Sequence, residues 1–180
     1  MDKPLCVFGI LDNERGRTIA IKMRRWLRPV YEVHEILHDG TRYEYPALKY
    51  MQDLCKKTGR PCLYVHTRGA VNVWNTTEAT HKMWREQFGI QWQKYFTLAE
   101  AEFPLVVAPF VDEDKETRYN GFVANAAAMA AIPEIKPNPD RMVYEKLFAN
   151  STVPVVGLLI HSPENNIGAI RQYLFRNYGN

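Results

Sequence analysis

The sequence predicts a three-layer α/β sandwich built on a mainly parallel sheet. Short apolar runs rich in β-branched and aromatic residues, at Leu5 to Ile10, Cys62 to Val65, Leu105 to Phe110 and Val153 to Ile160, alternate with stretches whose apolar residues recur at helical spacing. Several of these runs also stop at side chains that handle charge. The sharpest case is Pro61 to Gly69, where His66, Thr67 and Arg68 follow a buried-strand pattern and Gly69 lets the backbone turn close to a ligand. Ligands of open α/β sheets bind beyond the carboxyl ends of such strands. A strand that simply ends in a polar loop would read the same way, and the sequence leaves both readings open.

With 180 residues, the chain is long enough for one sizeable core and too short for two, so a single domain over 1–180 is expected. The 46% hydrophobic and 24% charged fractions are those of an ordinary globular protein. No apolar run reaches the length needed for a membrane-spanning helix. The start, Met1-Asp2-Lys3-Pro4, lacks the apolar core of a signal peptide, so a cytoplasmic location is expected. Three cysteines, Cys6, Cys55 and Cys62, fall on apolar segments without a Cys-x-x-Cys pair and read as buried reduced thiols. The net charge of +3 is scattered, which gives a nucleic acid no basic stripe to bind.

Taken in order, Leu5 to Ile10 is the first strand. The polar loop Asp12 to Arg17, carrying Asn13 and Arg15, then leads into a helix with Ile19, Met23, Trp26 and Leu27 on one face, closed by Pro29. Val30 to Leu37 alternates as a second, less buried strand, and Asp39-Gly40 turns the chain. Pro46 opens a helix through Ala47, Leu48, Met51, Leu54 and Cys55 that ends at Gly59. After the strand ending at His66, an apolar loop over 70–77 is suited to lie over something, and a long helix is expected over 76–101 with Asn75 and Glu78 as a capping box. Its stripe of Trp84, Phe88, Trp92, Tyr95 or Phe96, and Ala99 reads as core. Asp112 to Glu116 is a charged loop, and Arg118 to Phe122 a second loop leading to a small-residue helix from Ala124 to Ala131. Asn138-Pro139-Asp140 starts a further helix, Val153 to Ile160 is the last strand, ending at His161, and a terminal helix follows Ser162-Pro163-Glu164.

Dinucleotide, Walker, nucleophile-elbow and zinc-helix motifs are all absent. What remains is a set of strand ends carrying Asn13 with Arg15, His66 with Arg68, Asp112, and His161, which a parallel sheet would gather at one edge. Arginine there suits a diphosphate, because its fork makes paired hydrogen bonds to phosphate oxygens. His66 and His161 could share one ion, a site incomplete without a carboxylate. His34, His38 and His81 read as structural or surface residues.

The segments Tyr45 to Leu48, Leu63 to Gly69, Trp84-Arg85, Asn120-Gly121-Phe122 with Pro133, and Asp140-Arg141 through Glu145 resemble, in order and spacing over about 44–150, a family of small bacterial glycosyltransferase-like proteins. The resemblance implies a compact fold like that of the nucleotide-sugar transferases called GT-A, a nucleotide-sugar donor and a carbohydrate acceptor, with a role in surface-polysaccharide assembly. It also implies that Trp84, Arg85 and Asn120 close on the pocket of His66, Thr67, Arg68 and Gly69. The family fold usually ends the corresponding strand in an Asp-x-Asp that holds manganese or magnesium; this chain has His66-Thr67-Arg68 there, and Asn120-Gly121-Phe122-Val123-Ala124 where the family carries an aromatic pair. Arg68 could take over part of the metal's work by neutralising a leaving diphosphate. An inverting transfer also needs a carboxylate base, for which Asp140 and Glu145 are the candidates by position; as plain structure, Asp140 suits the first turn of a helix and Glu145 a surface ion pair. A catalytically silent sugar- or nucleotide-binding module is the alternative expectation.

Overall fold

The computed structural model describes residues 2–67, 77–111, 121–140, 142–161 and 176–177, with Thr77, Met142, Glu145, Ile160 and His161 described by their backbone alone. The expected loop at 70–77, apart from Thr77, the charged loop at 112–116 and the terminal helix through Leu174 lie outside those residues.

Six strands form one sheet: β1 (Leu5–Leu11), β2 (Glu32–His38), β3 (Cys62–His66), β4 (Val106–Val111), β5 (Phe122–Ala124) and β6 (Val155–His161), in the order β2-β1-β3-β5-β4-β6. β1 pairs parallel with β2 and β3, and β4 parallel with β6, but β5 runs antiparallel to both of its neighbours. The sheet is therefore mixed, which corrects the expectation of a mainly parallel one. The cause is β5, three residues long and fully buried, which the sequence presents as the end of a loop. Its brevity hides it from periodicity, since a three-residue run matches helix and strand templates equally.

Helices cover both faces. On one lie α1 (Glu14–Val30), α3 (Thr77–Trp84), a π-helical segment (Arg85–Ile90) and α4 (Trp92–Ala99), packed with Phe8, Ile10, Val65 and Val107 of the sheet. On the other lie α2 (Tyr45–Thr58), α5 (Ala126–Ala131) and the short α6 (Met142–Glu145), against Val7, Tyr64, Ala108 and Phe122. The three-layer α/β architecture stands.

Local chemistry accounts for the element ends. Asn13 accepts from the Gly16 backbone N–H at 2.6 Å and so caps α1. α1 passes through Pro29 to Val30, because proline's fixed φ is helical, and β2 accordingly starts two residues later than its alternation suggests. Pro46 stands in the first turn of α2, and Gly59, with φ of 70°, closes it in the left-handed conformation. The long helix expected over 76–101 is interrupted: the wide π turn and Gln91 separate α3 from α4. In that widened stretch Tyr31 donates its hydroxyl to the carbonyl of Phe88 at 2.5 Å, and Gly89 lets Trp26 approach. The three cysteines are reduced and buried.

Candidate functional site

The strand order identifies the edge where a ligand belongs. From β1 the chain crosses to β2 on one side, then returns across β1 to β3 on the other, with α1 and α2 on opposite faces. That reversal opens a crevice beyond the carboxyl ends of β1 and β3.

Thr67 fixes the floor of this crevice. Its backbone N–H donates to the Gly9 carbonyl, and its hydroxyl accepts from the Leu11 N–H, each at 2.9 Å. His66, beside it, is buried, with Nδ1 3.8 Å from Oε1 of the buried Glu44 at the start of α2. Its ring stacks on Tyr64 with centroids 6.0 Å apart and meets the fully buried Trp84 at 5.8 Å. Gly9 stays open for this packing, because a Cβ there would stand 3.2 Å from Ala47 and 3.4 Å from His66. Trp84 in turn depends on Gly121, where a Cβ would come within 2.5 Å of the indole Nε1. His66, Thr67, Trp84 and the residue next to Asn120 are thus brought together; Arg85 follows Trp84 but is exposed. Arg68, Gly69 and Asn120 lie outside the described residues.

Alongside, at the ends of β1 and β2, lies a cavity of about 400 Å³ lined by Asp12, Leu37, His38, Asp39, Thr41, Arg42 and Pro46. Its size falls in the range of small-ligand sites. The wall formed by 39–44 is stiff. Asp39 accepts from both the backbone N–H and the hydroxyl of Thr41, bonds that also hold its carboxyl below the usual range. Gly40 is left-handed at φ 85°, and Tyr43 adopts φ 49°, a conformation uncommon for a residue with a side chain. Such strain tends to gather at ligand sites. His38 presents a buried Nδ1 with no hydrogen bond among the described residues, and burial, opposed by nearby Asp39, pushes its pKa down. Arg42 supplies a cation, whereas the Asp12 carboxylate is paired with Arg17 at 2.7 Å.

The residues at 38–46 are the ones that sequence reasoning missed. His38 was legible by the same logic as His66, since both end a strand at one edge of the sheet; the strand pattern read from the sequence stops at Leu37, which leaves it outside. Asn13, expected to bind ligand, spends its side-chain oxygen on the α1 cap, and Arg15 is exposed.

The late candidates stand apart. Asp140 is exposed on the turn before α6, where Asn138 accepts its backbone N–H at 2.8 Å. Glu145 ends α6, whose Tyr144 has its phenol raised chiefly by burial and further by neighbouring Glu44, which puts this helix on the α2 side of the crevice. His161 ends β6, separated from β3 by β5 and β4; three strand spacings, roughly 14 Å, divide the ends carrying His66 and His161. Among the described residues no three of His, Cys, Asp or Glu form a metal-holding group. Comparison with protein-family models, curated proteins and solved structures finds no match to the chain.

Proposed function

We propose that the chain is a glycosyltransferase-like protein that takes a nucleotide-sugar into the crevice at the carboxyl ends of β1, β2 and β3 and passes the sugar to a carbohydrate acceptor. The observation that carries this reading is the cavity of about 400 Å³ at the carboxyl ends of β1 and β2, beside the reversal between β1 and β3, with a buried polar nitrogen on His38, a hydroxyl on Thr41 and a cation on Arg42. Such a lining suits a nucleoside: the apolar sides of Leu37 and Pro46 receive a ring, and the polar groups orient base and ribose. The diphosphate then runs toward the end of β3, where the sequence supplies Arg68. The resemblance of the segments at 44–150 to small bacterial glycosyltransferase-like proteins, which implies a GT-A-like fold, supports the same assignment.

In this reading the arginines balance charge. A guanidinium aimed at the bond between sugar and diphosphate stabilises the oxygen that becomes anionic as the nucleoside diphosphate leaves. No divalent ion is assigned a place, because among the described residues no three of His, Cys, Asp or Glu form a metal-holding group and both carboxylates of the cavity have partners, Asp12 in Arg17 and Asp39 in Thr41. Asp140 and Glu145 remain the carboxylates proposed to take the acceptor proton.

A silent binding module is the second reading, favoured by the exposure of Asp140 on its turn. Incubation with radiolabelled nucleotide-sugars separates the two. Release of nucleoside diphosphate, lost in Arg42→Ala and Arg68→Ala, supports the enzyme; saturable binding without turnover supports the module. Absence of both rejects the proposal.

A further inference from the structure

Among the described residues, strand β2 is an edge of the sheet. The Glu32 N–H donates to the Pro4 carbonyl and the His38 carbonyl accepts from the Asp12 N–H, so residues 32, 34, 36 and 38 turn their backbone groups toward β1. Val33, Glu35 and Leu37 consequently present theirs outward, to no described strand. Edges of this kind are ordinarily blunted by charged side chains, proline or a bulge. β2 has seven residues in unshifted register with no lysine, proline or bulge; it carries Glu32 and Glu35, the latter neutralised by Arg24 and Arg28 of α1. Leu37 is 55% exposed at its end, Ile21 is 54% exposed on the α1 stripe that also carries Arg24 and Arg28, and Tyr50 of α2 is 37% exposed beside His34.

We infer that β2 pairs antiparallel with β2 of a second copy of the chain, about a two-fold axis at Glu35, to make one continuous sheet through both molecules. The strand Glu32-Val33-His34-Glu35-Ile36-Leu37-His38 is self-complementary in that register. The outward groups meet each other, Val33 opposite Leu37 and Glu35 opposite Glu35. On the α2 side Glu32, 54% exposed at its side chain, faces His38 of the second copy, and His34 faces Ile36. Val33 and Leu37 bury apolar area against each other on the α1 side, flanked by Ile21. The like charges at the axis are already compensated: each Glu35 is held by Arg24 at 2.8 Å and Arg28 at 3.0 Å, so two carboxylates meet four guanidinium groups. A second copy is favoured over an unrelated strand because self-pairing matches acid to imidazole and apolar to apolar at both ends at once. Glu32 already lies 3.3 Å from His34 and 3.7 Å from Arg60 of its own chain, and is exposed enough to meet His38 as well.

Sedimentation equilibrium over a hundredfold range of concentration, combined with amide hydrogen exchange, tests this. The expected result is a reversible dimer in which the amides of Val33, Glu35 and Leu37 gain protection as concentration rises, while those facing β1 are protected throughout. Leu37→Lys, at an exposed position, should weaken association at least tenfold with an unchanged circular dichroism spectrum. Glu32→Lys should weaken it as well, and mixing Glu32→Lys with His38→Glu chains should restore a heterodimer, since each then supplies the other's missing partner. A wild-type chain that stays monomeric throughout, or a dimer that survives Leu37→Lys or leaves those three amides exchanging freely, overturns the inference. Leu37 and His38 also line the cavity, so the measurements are made without nucleotide, and their result stands apart from whether the crevice binds one.

Discussion

At the scale of single residues, the crevice is held by groups whose chemistry looks suited to a ligand but is spent on the protein. The hydroxyl of Thr67 is the only described acceptor for the Leu11 N–H, in a buried place. Thr67→Val keeps the shape and removes that acceptor, so it should lower unfolding free energy by about 1–3 kcal/mol, the cost of a buried unsatisfied donor. Urea denaturation measures this, and an unchanged midpoint would mean that Thr67 is there to contact ligand. Gly121→Ala tests the other side: its Cβ would collide with the Trp84 indole, displacing it, and the expected loss is about 1–3 kcal/mol with a red shift of tryptophan emission. The sequence made His66 and Thr67 visible because an apolar run stops abruptly there. It did not make Arg42 or Thr41 visible, because their position depends on a turn whose shape comes from Gly40 and Tyr43.

At the scale of elements, polar side chains inside the core decide where segments end. Asn125 accepts from the N–H groups of Ala128 and Leu105 and donates to the carbonyls of Ala101 and Phe103, so one amide caps α5 and ties down the approach to β4. Asn125→Ala leaves four backbone groups without these partners, and a loss of about 2–4 kcal/mol is expected, with faster amide exchange at Leu105 and Ala128. Exchange unchanged at those two amides would contradict that assignment. Gln52 does the same between α2 and the segment after α5, donating to Met129 and Pro133 and accepting from Ile135. Neither role could be read from sequence, since a buried amide in a helix or loop has no periodic signature. Strands β1, β3 and β4 were legible from composition, and α1 and α2 from spacing and end signals. The split of the helix after Trp84 was not, because the apolar stripe continues through the π turn unbroken. β5, which turns a parallel sheet into a mixed one, was too short to announce itself.

At the scale of the whole molecule, two titrating groups set opposite edges to the acid response. His38 has its pKa lowered by burial, so between its unfolded value, about 6.5, and its folded one the unfolded chain binds the proton that the folded chain refuses. Stability is therefore full above about pH 6.5 and falls as pH drops through that window. Glu35 is lowered chiefly by its hydrogen bond from Arg24, so its contribution is present above the ordinary carboxylate range and is lost as pH falls through its folded pKa. Melting temperatures against pH should show a first decline below about pH 6.5 that His38→Gln removes, and a second in the acid range that Glu35→Gln removes. A single acid transition insensitive to His38→Gln would contradict burial of a neutral imidazole in the cavity.

The central claim is that the crevice binds a nucleoside with its diphosphate lying toward the β3 end. Titration calorimetry with a panel of nucleosides and their diphosphates, with and without manganese, tests it on the intact chain and on Arg68→Ala. The account predicts that the diphosphate binds more tightly than its nucleoside, that Arg68→Ala weakens the diphosphate by about 1.5–3 kcal/mol while leaving the nucleoside nearly unchanged, and that manganese does not restore the loss. Equal weakening of both ligands, or diphosphate affinity untouched by the substitution, would contradict it.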